Sequence, residues 1–137
     1  MLAVACDFRV MADGPWGFAL NEVNLGTLLP DGIIRLVLGA VAPGEARRIL
    51  LAGETVSPAR ALETGLAREL TTPESALDRA IALADSLSAK APAAYAQVKE
   101  RLRACGGFEK SGPASLDTFL DSWFSEEAAL RDRKSVV

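Results

Sequence analysis

Apolar and polar positions along this chain repeat with a period that changes several times. Residues 1–6 form a short apolar run that reads as the end of a helix. Asp7 to Met11 alternates charged and β-prone residues, which predicts a strand, and Ala12-Asp13-Gly14-Pro15 breaks it as a turn. Trp16 to Leu20 is a second short apolar run, again more strand than helix. Asn21 to Gly32 reads as a loop that ends in the turn residues Pro30-Asp31-Gly32. Ile33 to Leu38 is apolar and is closed by Gly39, and Pro43 to Leu51 has helical spacing closed by Gly53.

Helix signals dominate beyond that point. Ser57-Pro58 reads as an N-cap followed by proline at the first helical position, where the missing N–H costs nothing. The helix it opens, Pro58 to Glu63, ends at Gly65, and Leu66 to Leu70 is a possible strand. Thr72-Pro73-Glu74 repeats the start signal before the strongest helical pattern, with Leu77, Ala80, Ile81, Ala84, Leu87 and Ser88 on one face. Pro92 restarts a helix to about Arg103, which Gly106-Gly107 terminates. Leu116 to Arg131 is a last amphipathic stretch, in which Phe119, Trp123 and Phe124 read as core or subunit-interface anchors. A few short strands among many helices leave unpaired edges. The fold class predicted is therefore the helical half of an α/β unit whose sheet lies upstream.

Composition narrows the function classes. Half of the 137 residues are apolar and 24% are charged, as in an ordinary soluble domain. Fifteen basic against eighteen acidic residues give a net charge of −3, and no basic stripe appears beyond Arg131–Lys134, so no nucleic-acid partner is expected. The chain has no histidine, which excludes Ser-His-Asp and Cys-His catalysis within it and leaves any metal site dependent on carboxylates; none is expected. Cys6 reads as a small buried hydrophobe and Cys105 as a helix-end residue. Asp7 and Arg9 are placed to pair along their strand. No secretory leader and no membrane-length apolar run is seen, so the default location is cytoplasmic.

Three blocks then carry a resemblance. Leu2-Ala3 through Cys6-Asp7-Phe8-Arg9 fits L-A-x-x-C-D-x-R. Phe18 through Pro30, with Leu20-Asn21-Glu22-Val23 and Leu25-Gly26, fits F-x-L-x-E-x-x-L-G-x-x-x-P. Gly53 through Val56-Ser57, Ala61 and Gly65-Leu66 fits G-x-x-V-S-x-x-x-A-x-x-x-G-L. With the alanine-rich helix pair Ala76–Ala89 and Ala93–Arg103 behind them, these blocks resemble the crotonase (enoyl-CoA hydratase/isomerase) superfamily over residues 1–103. The fold implied is the C-terminal part of a crotonase-like ββα spiral, mostly helical, with its N-terminal sheet missing. Residues 1–103 would be the second half of the core and the start of the helical region, and 104–131 a trimerisation-type helical segment. Residues 132–137 can be read from a sequencing-adapter frame, and are expected to be an artefactual or disordered tail.

The resemblance also implies a chemistry. In that family an acyl-CoA thioester is held with its carbonyl oxygen between two backbone N–H groups, which stabilise an enolate, while a glutamate moves the proton. The matching glutamate is Glu22. Apolar surroundings suit a carboxylate with that task; Phe18, Leu20, Leu25, Leu28 and Leu29 are the residues expected to supply them, with Leu20, Leu25 and Leu29 as substrate contacts. The second glutamate of the family's hydratases would occupy the position of Met1, which points instead to a one-carboxylate Δ3,Δ2-enoyl-CoA isomerase. No cofactor is implied, because coenzyme A belongs to the substrate, and the implied assembly is a homotrimer or hexamer. Both oxyanion donors fall upstream of Met1 in the family pattern, so the chain alone is expected to be inactive. A non-catalytic reading stands beside this one: a shortened paralogue acting as an oligomerisation or regulatory partner. An isolated helical binding module is the third reading.

Overall fold

Val10–Ala12 (β1) and Glu69–Thr71 (β2) pair in parallel, with Val10 opposite Glu69, Met11 opposite Leu70 and Ala12 opposite Thr71. The computed structural model describes residues 2–106 and 113–135. Two bonds extend the ladder beyond its ends: the Arg68 N–H donates to the Arg9 carbonyl at 2.8 Å, and the Asp13 N–H to the Thr71 carbonyl at 2.7 Å. A two-stranded sheet is marginal by itself, so this one depends on what packs against it. The long parallel crossover supplies that packing.

The crossover holds a one-turn helix, Glu22–Leu25 (α2), and three longer ones, Asp31–Ala40 (α3), Pro43–Leu50 (α4) and Pro58–Glu63 (α5). With the short helix Leu2–Ala5 (α1) they enclose the core. Val37 and Ile49 are fully buried, and Val4, Leu20, Val56, Ala61 and Leu66 join the same cluster. Burying each large aliphatic side chain contributes roughly 1.5–3 kcal/mol. Helix α5 forms as its sequence predicts: the Ser57 hydroxyl accepts the Arg60 N–H at 3.3 Å, Pro58 takes the first position, and Gly65 ends the turn at φ 77°.

Several expectations are corrected. Trp16–Leu20 is not a strand, because among the described residues its ladder partner is a single antiparallel bridge between Phe18 and Val56. The segment read as a loop, Asn21 to Gly32, contains α2 and the start of α3. The possible strand at Leu66–Leu70 lies later, at Glu69–Thr71, because Leu66 and Ala67 are buried in the core instead. Thr72 does not cap a backbone N–H; its hydroxyl meets the Ser75 hydroxyl at 3.2 Å, and a 3₁₀ turn, Pro73–Ser75, precedes helix Ala76–Ser88 (α6).

Helix Pro92–Cys105 (α7) runs two residues past its predicted end, and Gly107 lies outside the described residues. Leu116–Arg131 is not one helix but parts of two, Pro113–Trp123 (α8) and Glu126–Ser135 (α9). Ser125 makes the break, its hydroxyl accepting the Ala128 N–H at 3.2 Å as a cap does. Residues 132–135 thus belong to α9, while 136 and 137 lie outside the described residues.

Polar and apolar placements differ too. Asp7 pairs with Lys99 on α7 rather than with Arg9. Arg9 instead donates to the carbonyls of Cys6 and Leu66, which anchors β1 to the approach of β2. Cys6 is exposed, not buried. Phe124 and Trp123 are 81% and 49% exposed, so neither is a core anchor of this chain; Phe119 stacks obliquely on Trp123 with ring centres 5.8 Å apart. The apolar face of α6 is open as well, with Leu77 at 69% and Ile81 at 50% exposure. No helix among the described residues is long and apolar enough to cross a membrane.

Candidate active site

The incoming chain is fixed before it reaches Glu22. Phe18 and Val56 exchange backbone hydrogen bonds of 2.9 and 2.7 Å, and Leu20 is buried in the core at 3% exposure. Glu22 then opens α2, and Gly26 ends that single turn in the left-handed region at φ 73°. Thr27, 7% exposed, folds back on the turn: its N–H donates to the Glu22 carbonyl at 3.0 Å and its hydroxyl donates to the same oxygen at 3.3 Å.

Other elements hold the turn from outside. Asn24 donates to the Gly53 carbonyl at 3.4 Å, which ties α2 to the turn after α4. The Leu28 N–H donates to the Ser122 hydroxyl of α8 at 2.9 Å. Arg131 of α9 pairs with Glu127 at 2.9 Å and donates to the Asn24 carbonyl at 3.4 Å. Arg131 is therefore part of a clamp on the α2 turn. The side chains of Arg133 and Lys134 are not among those described.

Glu22 borders a cavity of about 340 Å³. Its walls come from α2 and the following segment (Val23, Thr27, Leu28, Leu29), from α3 (Ile34, Leu38) and from α4 and its end (Ala46, Arg47, Leu50, Leu51). Glu22 is the one carboxylate among these lining residues, and Arg47 the one cation. Glu22 Oε2 is buried and, among the described residues, has no hydrogen-bond partner. A buried carboxylate oxygen normally finds one, so its freedom is a feature that asks for an explanation. A proton carrier supplies one: an oxygen committed to a protein donor is less available to a substrate C–H.

The structure brings Glu22 and Leu29 together, and adds Leu28 from the residues expected to make an apolar surrounding. It does not bring Leu20 or Leu25 to that cavity. Leu20 belongs to the core, because the Phe18–Val56 bridge turns it inward. Leu25 faces a smaller cavity of about 160 Å³ with Trp123, Ala128 and Asp132, and Thr27 forms a wall of both. Phe18 packs against the core. The α3 and α4 contributors Ile34, Leu38, Arg47, Leu50 and Leu51 were outside the sequence reading, since helical spacing shows an apolar stripe but not which cavity it lines. Thr27 stood at an unspecified position of the L-G-x-x-x-P block; its residue type, able to bond nearby backbone, was the available signal. Among the described residues no cluster of side chains suits a metal ion.

Comparison with known proteins agrees with the resemblance. A family model described as enoyl-CoA hydratase/isomerase matches residues 1–123. A probable enoyl-CoA hydratase of Mycobacterium tuberculosis is 32% identical over 126 residues, covering 92% of this chain and 50% of that protein. The mouse mitochondrial enoyl-CoA delta isomerase 1 is 40% identical over 67 residues, 48% of this chain and 23% of that protein. The solved structure of a carnitinyl-CoA dehydratase from Mycobacterium avium superposes with a TM-score of 0.77 at 28% identity, over 96% of this chain and 53% of that one. The chain spans about half the length of the curated hydratase it matches.

Proposed function

The chain belongs to the enoyl-CoA hydratase/isomerase family, and from that premise we propose that it carries the proton-transfer half of an acyl-CoA enzyme, with Glu22 as the proton carrier of a double-bond isomerisation. The observation that carries this reading is the free, buried Oε2 of Glu22 at the edge of an apolar cavity. The Glu22 carboxylate takes a proton from the carbon beside the thioester carbonyl of a 3-enoyl-CoA. The electron pair delocalises over the carbonyl oxygen and the double bond as a dienolate. The same carboxyl returns the proton two carbons further along, and the 2-enoyl-CoA results. No atom is gained or lost, and no cofactor is needed beyond the coenzyme A that the substrate carries.

Isomerisation rather than hydration is the reading drawn from the resemblance, in which a hydratase's second glutamate falls at the position of Met1; among the described residues that line the cavity, Glu22 is the one carboxylate. The relatives' own names divide between hydratase, dehydratase and isomerase, so they do not choose between these reactions. By the resemblance, the N–H groups for the enolate oxygen come from the part of the family fold that precedes the L-A-x-x-C-D-x-R block. Leu77, Ile81, Val98 and Leu102, all at least half exposed on α6 and α7, support assembly of copies into the trimer or hexamer the resemblance implies.

The test joins this chain behind the first half of a family isomerase and supplies a 3-enoyl-CoA. The conjugated 2-enoyl thioester is expected, and Glu22→Gln is expected to lower its rate by about 10²–10⁴-fold. A hydroxyacyl product would replace isomerisation with hydration. A rate unaffected by Glu22→Gln would remove Glu22 from the mechanism. The 137-residue chain by itself is expected to show no turnover, since loss of one oxyanion donor alone costs about 10²–10³-fold.

A further inference from the structure

A carboxylate that must stay free to take up a proton cannot be held by its own oxygens. The α2 turn solves this by gripping Glu22 through its backbone. Both hydrogen-bond donors of Thr27, the N–H at 3.0 Å and the hydroxyl at 3.3 Å, converge on the Glu22 carbonyl, while Glu22 Oε2 takes no partner among the described residues. We infer that Thr27 is the positioning residue of Glu22, fixing the turn so that the carboxylate is presented uncommitted to the cavity.

Three observations carry this. Thr27 is 7% exposed, so water is a poor substitute for the bond its hydroxyl makes. Asn21, the residue before α2, makes no side-chain cap, and the bonds of Asn24 and Arg131 hold the later part of the turn, so the Glu22 carbonyl is gripped from Thr27. A helix this short has little stability of its own and depends on bonds made to it from outside its own four residues. Thr27 also walls both the Glu22 cavity and the smaller cavity beneath Leu25. Relaxing it would let the turn move toward either space.

The inference rests on reading Glu22 as the proton carrier, but its test reads where the carboxylate sits and not turnover, so the two fail separately. The whole 137-residue chain is labelled with ¹³C at glutamate side-chain carboxyls, the Glu22 resonance is assigned with Glu22→Gln, and amide hydrogen exchange is followed at Thr27. Thr27→Val keeps the shape and the N–H but removes the hydroxyl; Thr27→Ser keeps the hydroxyl. Thr27→Val is expected to move the Glu22 carboxyl resonance and to speed exchange at position 27 by roughly tenfold, the factor that corresponds to losing one net hydrogen bond. Thr27→Ser is expected to restore both. A Glu22 resonance in Thr27→Val that coincides with the unsubstituted protein overturns the inference. So does global unfolding of Thr27→Val, seen by far-ultraviolet circular dichroism, because the hydroxyl would then serve the fold and not the placement of one carboxylate.

Discussion

Arg60 of α5 reaches Glu45 of α4 with its Nη2 2.7 Å from Glu45 Oε2 and its Nε 3.3 Å from Oε1, a two-pronged bond to a carboxylate that is only 6% exposed. The same guanidinium bonds Glu63 at 2.8 Å, and Arg48 joins Glu45 at 3.9 Å to Glu54 at 2.6 Å. This network ties α4 to α5 and to the turn at Gly53, and that turn holds Asn24 of the Glu22 turn. The charges therefore brace the wall of the cavity without entering it.

Removing one member of a buried pair leaves the other charge without compensation, whereas removing both does not. Arg60→Met is therefore expected to lower the thermal midpoint more than the double variant Glu45→Gln/Arg60→Met does. Thermal unfolding of the wild type, both single variants and the double variant measures the coupling. A double variant whose loss equals the sum of the two single losses would show that the pair contributes nothing of its own.

Acid should act through the same carboxylates. Hydrogen bonds from Arg60 hold the Glu45 carboxyl below the ordinary glutamate value, against the opposing effect of desolvation, and Arg79 does the same for Glu69. A group depressed in the folded state contributes stability that is present above its unfolded value and lost as pH falls through its folded value. Stability is therefore expected to be flat with respect to these groups near neutrality, and to fall once pH drops below about 4.3, the ordinary glutamate value. Urea titrations at stepped pH check this. In Arg60→Met the fall should be shallower, and a fall of undiminished slope would exclude Glu45 as a contributor.

Gly53 and Gly65 both sit in the left-handed region, at φ 59° and 77°. Alanine at either position pays about 1–2 kcal/mol for that conformation. At Gly65 the new methyl would enter open space, but at Gly53 it would lie 2.5 Å from Asn24 Nδ2 and displace that side chain. Gly53→Ala is expected to cost more than Gly65→Ala and, unlike it, to disturb the Glu22 turn. Denaturant midpoints compare the costs, and the Glu22 carboxyl resonance reports the disturbance. Identical resonances in the two variants would mean that Asn24 does not transmit the change.

Much of this architecture was legible in the chain because it rests on local signals. Ser57-Pro58 and Gly65 bound α5 within one residue, and the F-x-L-x-E-x-x-L-G-x-x-x-P block located Glu22. What was not legible depends on contacts far apart in sequence. Trp16–Leu20 has a strand's composition but, among the described residues, finds only one bridge, to Val56. Leu20 and Leu25 flank Glu22 in sequence yet point to the core and to another cavity, because a single helical turn fans its neighbours apart. The walls from α3 and α4 depend on how those helices pack, which periodicity alone does not fix. The Ser125 break was readable in principle, as a serine followed by two glutamates, but the continuous apolar stripe on both sides concealed it.

Helix α6 sets the sequence pattern against the packing most directly. Its apolar positions recur with core-like spacing, yet Leu77 is 69% exposed, whereas Ile49 on α4 is fully buried. Ile49→Ala should cost about 2–5 kcal/mol through lost burial and a residual cavity. In the dissociated chain, Leu77→Ala should stay within about 0.5 kcal/mol of the unsubstituted protein, as for other surface changes. Any larger cost of Leu77→Ala should emerge only as protein concentration rises, because a face covered by a second copy is stabilised by mass action. Unfolding measured at low and high concentration separates these cases. A cost at Leu77 that matches Ile49 at every concentration would mean that the face is packed within one chain, and would remove the support it gives to assembly.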